Sequence, residues 1–159
     1  MSGSALLGDV DLHLIGEGQH WRLWEVLGAH VRSGEQRGVS FAVWAPNARR
    51  VSVVGDWNRW RIGVDVLDPQ GTSGVWAALV PEAGEGARYK FAVEGVDGQV
   101  RLKADPMARQ CELPPSTASI VTVDHHQWGD EAWMTARVER DPNAHHPLRV
   151  YEVHLGSWR

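Results

Sequence analysis

From Gly38 onward the chain keeps a period of two, and that period limits its fold more than any other feature. Val39, Phe41 and Val43 alternate with Ser40 and Ala42, and Pro46-Asn47 ends the run. Residues 51–54 form a second apolar run closed by Gly55-Asp56. Residues 75–80 form a third, closed by Pro81 and the Gly84/Gly86 turn. Tyr89, Phe91 and Val93 alternate with Arg88, Lys90 and Glu94 in the plainest half-buried pattern of the chain. Asp97-Gly98 then makes a hairpin turn into Val100-Arg101-Leu102-Lys103, and residues 120–123 offer a last strand. Six short strands with no helix between them, punctuated by many of the 17 glycines and eight prolines, predict an all-β protein. The expected fold is an immunoglobulin-like antiparallel β-sandwich. Parallel βαβ units are set aside because the connections are too short to cross over.

The flanking segments carry a different texture. Residues 18–28 read as one short helix, with Trp21, Trp24 and Leu27 at i, i+3 and i+6. Leu23 and Val26 broaden that stripe, and Gly28 stands where a glycine closes a helix. Residues 124–148 hold His125-His126, Asp141-Pro142-Asn143 and His145-His146-Pro147, with Trp128 and Trp133 as isolated anchors, and read as a linker. From Arg149 the run through Val150, Val153 and Leu155 to Trp158 is strand-like again, with nothing after it to pair with. The expected organisation is a helical segment over 1–35, the sandwich over 36–123, a linker over 124–148, and the opening strand of a further domain over 149–159.

Length and charge narrow the partners. The 159 residues suffice for one core and a linker. A net charge of −4 with scattered basic residues leaves no stripe to displace counterions from phosphates, so a nucleic-acid partner is excluded. A single cysteine, Cys111, allows no intrachain disulfide and fits a reducing cytoplasm. No leader-like amino terminus and no membrane-length apolar run is present, so a soluble cytoplasmic protein with no membrane partner is expected.

Nine Trp against two Phe and two Tyr is an inversion of the usual order. It implies a core built on indoles or a surface that stacks on flat ligands. Sandwiches commonly bury a Trp between their sheets, so Trp44, Trp57 and Trp76 are expected in the core. Asn58 is expected to hold its turn by bonding its own backbone. His125-His126 and His145-His146 face opposite ways along an extended chain, without converging carboxylates or thiols, so no metal site and no cofactor are assigned. Asp56, Asp65, Asp68 and Asp105 lie in turns with no pairing suited to acid/base work, Asp105-Pro106 being a turn starter. Cys111 reads as a plain free thiol.

The run Gly38-Val39-Ser40-Phe41-Ala42-Val43-Trp44-Ala45-Pro46-Asn47-Ala48 resembles the opening strand of carbohydrate-binding module family 48. Val51-Ser52-Val53-Val54-Gly55-Asp56-Trp57-Asn58-Arg59-Trp60 is similar to its second strand and turn, and Tyr89-Lys90-Phe91-Ala92-Val93 continues the pattern. Gly74-Val75-Trp76, Leu102-Lys103-Ala104-Asp105-Pro106 and Ser116-Thr117-Ala118-Ser119 follow in order. Leu23-Trp24-Glu25-Val26-Leu27-Gly28-Ala29-His30 and the closing Tyr151-Glu152-Val153-His154-Leu155-Gly156-Ser157-Trp158 resemble glycogen branching enzymes in particular.

The resemblance implies an α-glucan partner, with Trp60 as the stacking platform and Lys90 as its polar companion. A second aromatic, common in glycogen-binding members after the Tyr-Lys-Phe strand, is missing near Gln99-Val100. A one-platform site should be weak, of roughly millimolar strength, and a spacer role packed on a catalytic barrel stays open. The parent reaction implied is retaining transglycosylation by two carboxylates on a (β/α)8 barrel. Those groups are expected beyond Arg159, so no catalytic residue is assigned here and the fragment alone is expected to be inactive. The parent enzyme is expected to be monomeric. A free-standing glycogen-targeting module, or the front of an isoamylase-like debranching or trehalohydrolase enzyme, are the alternatives.

Overall fold

In a computed structural model, residues 7–139 and 150–157 are described, and the chain divides into two compact units, Met1–Asp124 and His125–Arg159. The first unit is the expected antiparallel sandwich. One sheet contains β1 (Gly28–Arg32), β2 (Gly38–Trp44), β6 (Val75–Val80) and β5 (Asp68–Pro69), in that spatial order. The other runs β4 (Asp65–Val66), β3 (Arg50–Gly55), β7 (Arg88–Glu94), β10 (Ser119–Ile120) and β9 (Gln110–Cys111). A further strand, β8 (Val100–Lys103), shares one edge of β7 with β10, each pairing a different half of it.

The alternation works as read. Val39, Phe41 and Val43 of β2 face Val51 and Val53 of β3 and Tyr89 and Phe91 of β7 across the core, with Leu67, Val80 and Val121 filling between. Phe41 is its hub. It stacks on Trp57 at 5.4 Å and meets Tyr89 edge-on at 5.0 Å and Phe91 at 6.5 Å. Aromatic pairs of this kind add about 0.5–1.5 kcal/mol each beyond area burial.

The helix is where the structure departs from the period. It is α1, Asp9–Gly16, and Gly18 (φ +68°) closes it instead of opening one. Gly18 N–H donates to the Ile15 carbonyl and Gln19 N–H to that of Leu14, the paired bonds of a glycine-ended helix. Residues 18–28, expected as a helix, hold only a 3-10 turn at Leu23–Glu25 before Gly28, at φ +98°, enters β1. Pairing with β2 satisfies the backbone of residues 28–32 in place of helical bonds. Leu12, Ile15, Leu23 and Leu27 pack with Leu7 against Ala42, Val75 and Ala77, covering part of the outer face of the first sheet.

In the second unit, a helix α2 spans Glu131–Glu139 inside the segment expected to be a linker. Residues 150–157, expected as a strand, pair with nothing among the described residues and end in a 3-10 turn at Leu155–Ser157. Arg149, Trp158 and the His145-His146 pair lie outside the described residues. Among the described residues no helix is long and apolar enough to cross a membrane.

Asp105, expected in an open turn, is buried. It accepts the Tyr89 hydroxyl at 2.5 Å and the Met107 N–H at 2.8 Å, while its own N–H donates to Ser119 Oγ. Burial pushes its carboxyl above the ordinary 3.8, against the lowering effect of Tyr89, Met107 and nearby His30. The folded chain therefore holds this proton at pH values where the unfolded chain has lost it. That contribution to stability is complete below the unfolded value and is lost as pH rises through the folded one. In urea titrations, wild type minus Asp105→Asn stability should therefore fall as pH rises above about 4. Tyr89→Phe should cost about 1–3 kcal/mol by leaving the carboxyl short of a donor.

Candidate functional site

The turn after β3 decides which indole packs against the core and which is presented. Gly55 is extended, and a Cβ there would overlap the Trp57 ring. Only glycine lets that ring fold back over the strand onto Phe41. Trp57 Nε1 donates to Asp65 Oδ2 at 2.8 Å, so the indole N–H is not left bare. Asn58 is buried with both ends of its amide used. Its Oδ1 accepts the Gly55 N–H at 3.0 Å, and its Nδ2 donates to the Val53 carbonyl and to Asp65. With Trp57 and Asn58 committed inward, the chain turns out through two consecutive left-handed residues, Arg59 (φ 55°) and Trp60 (φ 59°). Such a conformation costs about 1–2 kcal/mol per non-glycine residue. It leaves Trp60 36% exposed, with its N–H on the Gly55 carbonyl at 3.0 Å.

Lys90 is reached from β7. Tyr89 and Phe91 point into the core, so Lys90 lies on the outer face opposite Val54, where its Nζ donates to Thr117 Oγ1 at 2.6 Å. Trp60 and Lys90 are linked by a network that the sequence reading did not find. Trp60 Nε1 donates to Asp56 Oδ1 at 3.3 Å, and Arg88 makes a two-bond fork onto the same carboxylate, at 3.0 Å from Nε and from Nη2. Arg88 Nη1 donates to Glu112 Oε1 at 3.4 Å, and Glu112 Oε2 accepts the N–H of Ala118, next to Thr117. The Arg88 guanidinium holds the Asp56 carboxyl below its ordinary value, and the carboxylates raise Arg88 in turn. Only the shared polar face of Arg88 and Lys90 was visible beforehand. Asp56 lies 32 residues from Arg88, and no local pattern reports that pairing.

The arrangement is an indole presented at the surface, with charge-paired donors and acceptors along its edge. Such a surface suits a flat, neutral, hydroxyl-rimmed ligand. The hairpin beyond Lys90 has no ring at Gln99 or Val100. Its tip is held by Arg101 forked onto Asp97, whose carboxyl is pulled down to about 2.

The other indoles divide differently from expectation. Trp76 is half-buried, with Nε1 on the Ala45 carbonyl at 3.0 Å, and Trp57 packs on the core. Trp44 is not in the core: it is 57% exposed. Val43 points inward, so the next residue faces out, beyond the patch that α1 covers. A largely apolar groove of about 390 Å³ runs from Trp44 past Leu23, Leu27 and Met107. Cys111 is free and exposed.

Residues 26–108 match the model of carbohydrate-binding module 48, described as the isoamylase N-terminal domain. That span contains Trp60, Lys90, Asp56 and Arg88, whereas Glu112 and Thr117 lie past it. Proteins named 1,4-alpha-glucan branching enzyme GlgB are similar over 96% of the chain. The one from Nocardia farcinica is 52% identical, that from Mycolicibacterium paratuberculosis 54%, and that from Myxococcus xanthus 52%. The chain spans about a fifth of the length of these relatives, 21–22%. Among solved structures, the maltotriose complex of PulA from Klebsiella pneumoniae aligns with a TM-score of 0.51 at 25% identity. The alignment covers 61% of this chain and 11% of that one. The family match takes in more than half of the chain, which therefore belongs to the carbohydrate-binding module 48 family.

Proposed function

We propose that this chain is the α-glucan-recognition module at the front of a 1,4-α-glucan branching enzyme, with Trp60 as its platform and Lys90 at the edge. The observation that carries the reading is the turn at residues 55–60. It packs one indole against the core and turns the other out through two left-handed residues, beside a row of paired charges. The relatives' shared name supports the enzyme class. In that enzyme, α-1,4 linkages are cleaved and the chain is moved to a C6 hydroxyl, which makes the α-1,6 branch points of glycogen. Two carboxylates of a retaining site carry that chemistry. We place them outside these 159 residues, so the chain by itself binds and does not react. A monomeric enzyme in the cytoplasm is the proposed setting, which the single unpaired Cys111 fits.

A spacer role has one specific support, the exposed Trp44 beside a groove with few polar groups to meet sugar hydroxyls. The two roles are separable by native gel mobility with and without glycogen in the matrix. Wild type should be retarded. Trp60→Ala should lose about 2 kcal/mol of binding, a roughly thirtyfold weakening that removes the retardation. Lys90→Met should give partial retardation. Equal retardation of wild type and Trp60→Ala would move the glucan site elsewhere, and free migration of both would leave the spacer role.

A further inference from the structure

Arg88 is half exposed although two carboxylates hold it, its side chain being 52% accessible. It stands two residues before Lys90 on the same strand, and on the same outer face, because Tyr89 between them points into the core. Side chains so placed lie about 7 Å apart along a strand. On its other flank, Arg88 Nη2 and Trp60 Nε1 donate to one oxygen, Asp56 Oδ1, at 3.0 and 3.3 Å. Those two nitrogens are therefore no more than about 6 Å apart. Arg88 thus occupies the interval between the indole and the ammonium.

We propose that Arg88 is a third ligand-contacting residue of this surface, donating hydrogen bonds to hydroxyl oxygens of the glucan stacked on Trp60. This rests on the reading of Trp60 as the platform. Of the five guanidinium N–H groups, three are engaged, by Asp56 Oδ2, Asp56 Oδ1 and Glu112 Oε1. One N–H on each Nη is left in a direction set by the fork. A free arginine loses much side-chain entropy on binding, whereas here the two carboxylates have already removed that freedom. They also decide the ligand's class. Asp56 and Glu112 offset the charges of Arg88 and Lys90, so this row itself offers directed donors with little net charge. Donors directed and charge-offset in this way suit the hydroxyl oxygens of a neutral polyol.

The test is calorimetric titration with maltoheptaose at low and high salt, together with NMR of the arginine side-chain N–H groups. Trp60→Ala should abolish the heat of binding. Arg88→Lys keeps a positive charge beside Asp56 but loses the fork, and should bind about three- to tenfold more weakly with its melting temperature unchanged. Wild-type affinity should be the same at both salt levels, and maltoheptaose should shift the Arg88 N–H resonances. That last measurement uses the unaltered chain and so does not depend on a variant folding. Loss of binding in Trp60→Ala, beside wild-type affinity in Arg88→Lys and unmoved Arg88 resonances, would overturn the assignment alone. Full binding by Trp60→Ala would instead sink the reading of the platform, and Arg88's role with it.

Discussion

The stacking of Trp57 on Phe41 over Gly55 is the contact from which the rest of this surface follows. A ring can lie there only because residue 55 has no side chain. With the ring in place, Asn58 is drawn under the turn, where a buried amide must be bonded at both ends and is. The three residues 56–58 form a 3-10 turn under these bonds, and the chain leaves it through the left-handed region at Arg59 and Trp60. The second indole therefore stands outside for the same reason that the first is inside. Its exposure is a consequence of core packing, and the strain at the two left-handed residues is held by bonds that serve the fold.

The same economy links the two sheets to the polar row. β7 supplies Tyr89 and Phe91 to the core on one face and Arg88 and Lys90 to the surface on the other. Tyr89 in turn fixes Asp105 and, through Ser119, the start of β10. That places Ala118 and Thr117 against Glu112 and Lys90. A buried hydrogen-bond network thus sets the position of surface groups on the opposite side of the strand. Weak recognition of a neutral polymer has little charge attraction to draw on, so fixed geometry is what such a surface can contribute.

How much of this was legible in the sequence depends on range. The strands that contribute to the core showed themselves because Val39-Phe41-Val43 and Tyr89-Phe91-Val93 alternate over five residues or more. β4, β5 and β9 are two residues long and have no period to show. β1 was hidden because Trp21, Trp24 and Leu27 mimic a helical stripe, while Gly28 serves equally well as a cap or as a strand entry. The alternation that placed Val43 inside also placed Trp44 outside, and a general expectation about buried Trp in sandwiches obscured it. Trp60 and Lys90 were singled out through their likeness to a family, and the structure puts them on one hydrogen-bonded row. Asp56, Arg88 and Glu112 were not found, because their pairings cross 24 to 32 residues and leave no local trace.

The most direct measurement is a map of the indole N–H resonances of this Trp-rich chain during titration with maltoheptaose. Every Trp reports its own surroundings, so one spectrum compares the candidate surfaces against each other. A shift concentrated on Trp60, with Trp44, Trp21 and Trp24 still, is the result this account predicts. Movement of the Trp44 signal with Trp60 unmoved would contradict it and would place glucan on the other sheet.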